Sequence, residues 1–131
     1  MYSKSLFIFR VDLRLYDNIG LIQACSCSKK VYPVFIFNEE QIDDNKNKYK
    51  SNNSVQFMVE SLLDLNKQLK KKNGKLHLFY GDNIHIIKNI IKKENIEALF
   101  INKDYTTYAI KRDNQIKKLC KQLDIDFHIC C

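Results

Sequence analysis

The sequence predicts an α/β fold in which a doubly wound, five-stranded parallel sheet is flanked by about four helices. Two observations lead to this prediction. Short apolar runs alternate with amphipathic segments along the chain, which is the pattern of repeated βα units. The runs themselves carry few polar residues, as expected of parallel strands that are buried on both faces. A length of 131 residues fits one such domain, spanning 1–131.

Five apolar runs are predicted to be the strands. Each is four to seven residues long and is bounded by polar residues, which is the usual length of a buried strand. The predicted strands are residues 5–9, 31–37, 76–80, 98–101 and 127–130.

The first two helices are predicted from caps and from apolar spacing. Asp17 and Asn18 can cap a short helix that buries Leu21, Ile22 and Cys25. Apolar residues then recur at helical spacing between positions 55 and 69, and Gly74 stands where a left-handed C-cap would end that helix. The apolar residues of this second helix are Val55, Met58, Val59, Leu62 and Leu69.

Two further helices follow the third and fourth strands. Asp82 is a predicted N-cap ahead of an isoleucine-rich face, and a second apolar face begins at Ala109. Residues 38–53 are polar and are predicted to be a surface loop with room for one helical turn near 39–42. The two apolar faces comprise Ile84, Ile87, Ile90 and Ile91, and Ala109, Ile116, Leu119, Cys120 and Leu123.

The formal net charge of +7 comes almost entirely from lysine, because only Arg10, Arg14 and Arg112 among the 22 basic residues are arginines. Lysine reads base edges poorly, so this field predicts general attraction to polyanions, with DNA bound only indirectly or weakly. A solvated lysine-rich surface without any partner is the alternative.

The five cysteines are odd in number and contain no CxxC pair. They indicate a reducing intracellular compartment and small apolar roles, with neither disulfides nor a metal site. No apolar run approaches the length of a membrane span, so we expect a soluble cytoplasmic or nuclear protein without membrane contact.

Several catalytic and nucleotide-binding classes lack their motifs. With only Gly20, Gly74 and Gly81 present, the chain contains neither GxGxxG nor GxxxxGK. His77, His85 and His128 are scattered over two predicted strands and a helix, which favours structural or solvated roles. We therefore predict no catalytic residue in this chain.

Ligands of open parallel sheets bind at the carboxyl ends of the strands, near the point where strand order reverses. The predicted pigment- or ligand-binding residues are those that follow the strands there: Phe9, Arg10, Phe37, Asn38, Asn102, Asp104 and Tyr105.

Alternating charges mark the loop after the first strand. Arg10, Asp12, Arg14 and Asp17 can form a local ion-pair network, to which Arg112 and Asp113 of the fourth helix can add. Direct ligand contact by this loop is an alternative of about equal weight.

Four stretches together resemble the N-terminal α/β domain of the DNA photolyase/cryptochrome family. They are residues 9–18 (FRVDLRLYDN), residues 33–37 (PVFIF), residues 57–65 (FMVESLLDL), and Asn-Lys-Asp-Tyr at 102–105 followed by Arg112-Asp113. Their order and spacing within the βα frame cover nearly the whole chain.

The resemblance implies a Rossmann-like domain that holds an antenna pigment and passes excitation to FAD in a separate helical domain. In that family the FAD then repairs UV-induced pyrimidine dimers, as a deoxyribodipyrimidine photolyase. The chain has length for the first domain only, so we expect the FAD-binding helical domain to be absent and FAD not to be bound here. A split or truncated photolyase acting with a separate FAD-binding polypeptide is the leading hypothesis. A stand-alone nucleotide- or flavin-binding regulatory module, or a non-functional remnant, is the alternative.

Departures from the family pattern bear on the pigment. Tyr108 and Ala109 occupy the places of the Asn-Glu pair that folate-binding members use. Asp104 keeps the acidic position associated with deazaflavin binding, although Thr106 lacks the acid that follows it in such members. The resemblance therefore favours a deazaflavin or FMN over a folate.

Overall fold

The computed structural model describes residues 1–10, 18–37, 52–72 and 74–130, with the backbone alone at 52–58. Five strands and four helices alternate along these residues. The strands are β1 Tyr2–Phe9, β2 Ser28–Phe37, β3 His77–Tyr80, β4 Ala98–Asn102 and β5 Asp126–Cys130. The helices are α1 Ile19–Cys27, α2 Asn52–Lys71, α3 Asn83–Glu94 and α4 Thr107–Gln122.

The strands form one parallel sheet in the order β3-β2-β1-β4-β5, which confirms the predicted fold. The chain winds outward from β1 through β2 to β3, and then crosses to β4 and β5 on the other side. Strand order therefore reverses between β1 and β4, where such sheets open a crevice for ligands.

Successive residues of the sheet pack into two separate cores, as expected for strands buried on both faces. One core joins Phe7, Phe35 and Phe100 to α1 and α2. The other joins Leu6, Val34 and Leu99 to α3 and α4. Helices thus cover both faces of the sheet, and its polar groups lie at the ends of the strands.

The first two strands begin earlier than the apolar runs suggested. In β1, Tyr2 pairs with Ser28 and Lys4 pairs with Lys30, so that three or more polar positions extend the ladder ahead of each run. Backbone hydrogen bonds between parallel strands do not require apolar side chains, and hydrophobicity alone therefore underestimates the strand length.

The buried face of α1 differs from the prediction. Leu21 and Ala24 are buried, whereas Ile22 is 57% exposed and Cys25 is also exposed. The helix is only nine residues long and approaches the sheet on Gly20, Leu21 and Ala24, so Ile19 and Ile22 point away. The Asn18 cap is confirmed, because its side chain accepts a hydrogen bond from the Leu21 amide.

The helix α2 contains the predicted apolar face, with Leu62, Leu65 and Leu69 buried, but Val59 is exposed. Gly74 does not take a left-handed conformation, which corrects the predicted C-cap. Its amide instead donates to the Leu69 carbonyl at 2.7 Å, and so satisfies a free carbonyl at the end of the helix.

The other two helices begin at side-chain caps. Asp82 accepts from the His85 amide at the start of α3, as predicted, and Thr106 accepts from the Ala109 amide at the start of α4. None of the helices in the described ranges is long and apolar enough to cross a membrane.

The burial of the cysteines predicts how fast their thiols react. Cys120 is 1% exposed, and burial raises the pKa of its thiol to about 12. In the folded protein we expect iodoacetamide to modify the exposed Cys25 while Cys120 reacts only after unfolding, because the reactive thiolate is absent and the reagent cannot reach it. Peptide mass spectrometry after timed labelling measures both sites, and equal rates at the two cysteines would contradict the packing of α4.

Candidate binding site at the carboxyl edge of the sheet

An ion pair closes the point where strand order reverses. Arg10 directly follows β1 and is 8% exposed. Its Nη1 donates to Asp113 Oδ1 of α4 at 2.7 Å, and its Nη2 donates to the backbone carbonyl of Asn102 at the end of β4. One guanidinium therefore joins β1, β4 and α4.

The side chain of Asn102 joins the same edge to α1 on the other face. Its Oδ1 accepts from the Gly20 amide at 2.7 Å, and its Nδ2 donates to Asn18 Oδ1 at 2.6 Å. A Cβ at position 20 would lie 2.6 Å from Asn102 Oδ1 and 2.9 Å from Phe7, so this approach of helix to strand requires glycine. Asn102 and Asn18 thus set the position of α1 at the edge.

Burial dominates the electrostatics of the ion pair. Desolvation raises the pKa of Asp113 above its ordinary value, although Arg10 and Arg112 both act to lower it. The pKa of Arg112 is lowered, first by burial and then by the neighbouring positive charge of Arg10. Asp104 also acts on both groups, so two guanidinium groups and two carboxylates interact electrostatically in this part of the site.

A small cleft that opens to solvent lies at this edge on the side of α3 and α4. Arg112 lines it together with Arg10 and Asn83. Among the described residues the buried Nε atom of Arg112 has no hydrogen-bond partner, and its guanidinium carbon lies 5.4 Å from the ring centre of Tyr108. Apolar residues complete the wall: Ile8, Phe9, Phe35, Ile36, Ile87, Ile101 and Ile116.

The segment after β4 continues the edge outward. Asp104 accepts a hydrogen bond from the Thr106 amide at 3.1 Å, which shapes the turn into α4. Tyr105 is 73% exposed, and the ammonium group of Lys103 lies 5.3 Å from its ring centre. An exposed aromatic ring and a carboxylate therefore stand beside the cleft.

The residues predicted to bind a ligand separate into three groups. Arg10 and Asn102 lie at the edge, but their side chains are engaged within the protein. Phe9 and Phe37 pack edge-to-face against neighbouring phenylalanines on the α1–α2 side, and Asp104 and Tyr105 lie on the surface. Asn38 and the loop residues Asp12, Arg14 and Asp17 fall outside the described residues.

Asp113 pairs with Arg10, and the cleft contains two residues that the sequence did not predict to bind a ligand, Asn83 and Arg112. Asn83 lies just after the Asp82 cap, so its position at the edge was readable from the order of strand, cap and helix. Arg112 was assigned to the structural network, and only the geometry brings it to the cleft.

The histidines lie away from the cleft. His77 stacks on Tyr32 at 3.9 Å, and His128 stacks on Phe100 at 4.5 Å. Within the described ranges no group of three His, Cys, Asp or Glu side chains could hold a metal ion.

A doubly wound parallel sheet with a cleft at its reversal point defines a Rossmann-like domain. The model of the DNA photolyase family matches residues 5–131, and the chain belongs to that family.

Three relatives show what the chain is similar to. It is 32% identical over 131 residues to cryptochrome-1 of Aedes aegypti, covering 95% of this chain and 24% of that protein. It is 34% identical over 127 residues to the deoxyribodipyrimidine photo-lyase of Buchnera aphidicola, covering 92% of this chain and 25% of that protein. The crystal structure of an archaeal photolyase from Sulfolobus tokodaii superposes with a TM-score of 0.90 at 40% identity, over 98% of this chain and 29% of that one.

The chain thus spans about a quarter of the length of the curated relatives it matches. The Sulfolobus tokodaii photolyase contains two FAD molecules, which were taken to imply a novel light-harvesting cofactor in that protein.

Proposed function

We propose that this chain is the antenna domain of a DNA photolyase and that it holds a flavin nucleotide in the cleft between Arg112 and Asn83. The observation that carries the proposal is that Arg112 lines the cleft while its buried Nε has no hydrogen-bond partner among the described residues. A buried donor of this kind is costly unless a ligand or water satisfies it. A phosphate of a flavin nucleotide is an acceptor of matching charge.

The residues of the cleft fit such a group. Its wall is mainly apolar, which suits a planar ring system, and its polar residues are Arg10, Asn83 and Arg112. Asn83 supplies a side-chain amide at the start of α3, and Arg112 adds a cation. The 40% identity to a photolyase with two FAD molecules supports a flavin over a folate.

When bound, the pigment would absorb near-ultraviolet or blue light and transfer excitation through space to FAD in a helical domain. The residues of this chain would bind and orient the pigment. Arg112 would hold its anionic group, and Arg10, through its ion pair with Asp113, would hold Arg112 and the ends of the strands in position. Repair of pyrimidine dimers in DNA would take place in that helical domain.

We expect Arg112→Gln to weaken binding of FMN or FAD about 10- to 100-fold, because a hydrogen bond to a charged group contributes about 1.5–3 kcal/mol. Quenching of flavin fluorescence in a titration measures the effect. Lys111→Gln removes the same charge from the neighbouring exposed position and should bind like wild type.

Equal affinity of the Arg112→Gln variant and wild type would remove the assigned anion site. Titrations with a deazaflavin and a folate identify the preferred pigment. A protein that binds no pigment but gains thermal stability with ATP or AMP would instead be a nucleotide-binding regulatory module.

The repair role has its own test. Wild-type protein is mixed with a photolyase helical domain that carries FAD, and light-dependent loss of pyrimidine dimers is compared with the helical domain alone. Failure to associate at micromolar concentration would exclude the antenna role in a two-chain photolyase.

A further inference from the structure

Positive charge is distributed unevenly between the two helical layers. The α1–α2 layer contains three basic and two acidic residues, whereas the α3–α4 layer contains eight basic and two acidic residues. The net charge of this second layer therefore accounts for most of the +7 of the whole chain. Its lysines, which we call the lysine face, are all exposed: Lys88, Lys92, Lys93, Lys111, Lys117, Lys118 and Lys121.

The two acids of the α3–α4 layer are already paired with residues outside it. Glu94 lies 3.8 Å from the ammonium group of Lys4, and Asp113 is bonded to Arg10 in the interior. No lysine of the lysine face forms an ion pair with another residue in the ranges that the structure describes. Their charges therefore act together on the solvent side of the protein.

The surface around these lysines is polar. On α3 the exposed residues are lysines together with His85 and Asn89. On α4 the exposed apolar residues, Tyr108 and Ile110, are confined to the first turn beside the cleft. A helix that enters a membrane surface needs an exposed apolar stripe next to its basic residues, and this layer has none along its length. The face is suited to a hydrophilic polyanion.

We propose that the lysine face docks on the phosphate backbone of duplex DNA without reading its sequence. Lysine is a point charge that contacts phosphates, and the absence of arginine from the lysine face argues against bidentate reading of bases. The 16 residues of α4 extend about 24 Å, the length of about seven base pairs. Among polyanions, we choose DNA because of the proposed repair function. The lysine face is separate from the cleft.

The experiment measures binding of the whole chain to a fluorescein-labelled 20-base-pair duplex of arbitrary sequence by fluorescence anisotropy, between 50 and 200 mM NaCl. We expect Lys111→Gln/Lys118→Gln/Lys121→Gln to weaken binding at least tenfold at 50 mM salt. Because each phosphate contact contributes about 0.9 to the slope of log K against log salt, the slope should fall by about two to three.

A matched control removes the same three charges from the other layer. Lys67→Gln/Lys70→Gln/Lys71→Gln alters exposed lysines of α2 and should keep the affinity and the slope within twofold of wild type. Equal losses in both triple variants, or no binding of wild type at 100 µM and 50 mM salt, would overturn the proposal. So would preferential binding to phosphatidylserine vesicles.

Failure of this inference is distinguishable from failure of the proposed function. Flavin titrations of both triple variants should match wild type, since none of the changed lysines lines the cleft. If neither wild type nor any variant binds a flavin, but the α4 triple variant binds DNA more weakly than wild type, the DNA-binding proposal is supported and the antenna proposal is contradicted.

Discussion

Replacing Arg10 with alanine is expected to lower the free energy of unfolding by about 3–5 kcal/mol, because Asp113 would lose the guanidinium that neutralises it in the interior. The two side chains are 6% and 7% exposed and their charged atoms lie 2.7 Å apart. Urea denaturation followed by circular dichroism measures the change. A loss below about 1 kcal/mol would mean that the pair is open to water in solution.

A double-mutant cycle separates the pair from the packing of its members. Arg10→Met alone and Asp113→Leu alone should each cost about as much as Arg10→Ala, since each leaves one charge buried without its partner. Arg10→Met combined with Asp113→Leu should recover most of that loss, because neither charge then remains buried. Lys4→Ala is the control: its partly exposed pair with Glu94 at 3.8 Å should contribute about 0–1 kcal/mol. Additive losses across the cycle would show that the two side chains act independently.

The stability difference should also depend on pH with a defined sign. Burial raises the pKa of Asp113, so the folded state holds this proton more tightly than the unfolded state. The stabilisation from that proton is fully present below the unfolded pKa and is lost as the pH rises through the raised pKa of the folded state. Asp113→Asn should remove this slope, which urea denaturation at a series of acidic pH values would detect.

The order of strands and helices was predictable because strands that are buried on both faces produce a strong apolar pattern in the sequence. Phe7 and Leu6 are adjacent in β1 and pack into opposite cores, so parallel strands appear as continuous apolar runs. The pairing of Lys4 with Lys30 leaves no such pattern, which is why the beginnings of β1 and β2 were missed. The exposure of Ile22 was missed because the small residues Gly20 and Ala24 meet the sheet beside Leu21.

The location of the site was also predictable, whereas the roles of its residues were not. The carboxyl ends of strands must meet at one edge, which placed Arg10 and Asn102 together. Which of these side chains faces a ligand depends on pairings across long separations, such as Arg10 with Asp113 and Asn102 with Gly20. No local spacing encodes those partners, and Arg112 reached the cleft only through the placement of α4.

The sequence predicts a ligand-binding role for Asn102, whereas its hydrogen bonds indicate a structural role. Substitutions of Asn102 distinguish the two roles. Asn102→Ala would leave the buried Gly20 amide without its acceptor, whereas Asn18 Oδ1 would lose the Nδ2 donor but still accept from the Leu21 amide. One unsatisfied buried group costs about 1–3 kcal/mol, so we expect the free energy of unfolding to fall by about that amount. The affinity for a flavin should change little in the fraction that remains folded.

Asn102→Asp is the sharper variant of this test because it changes a single donor. Aspartate keeps an acceptor for the Gly20 amide, but its second oxygen would face Asn18 Oδ1, which now lies 2.6 Å from the donor Nδ2. We therefore expect Asn102→Asp to destabilise the domain, and the loss to ease at a pH low enough to protonate the new carboxyl and restore a donor. Urea denaturation measures the structural role, and flavin titration of the same samples measures the ligand-binding role. A variant of full stability with lost flavin affinity would return Asn102 to the binding site and contradict its role in positioning α1.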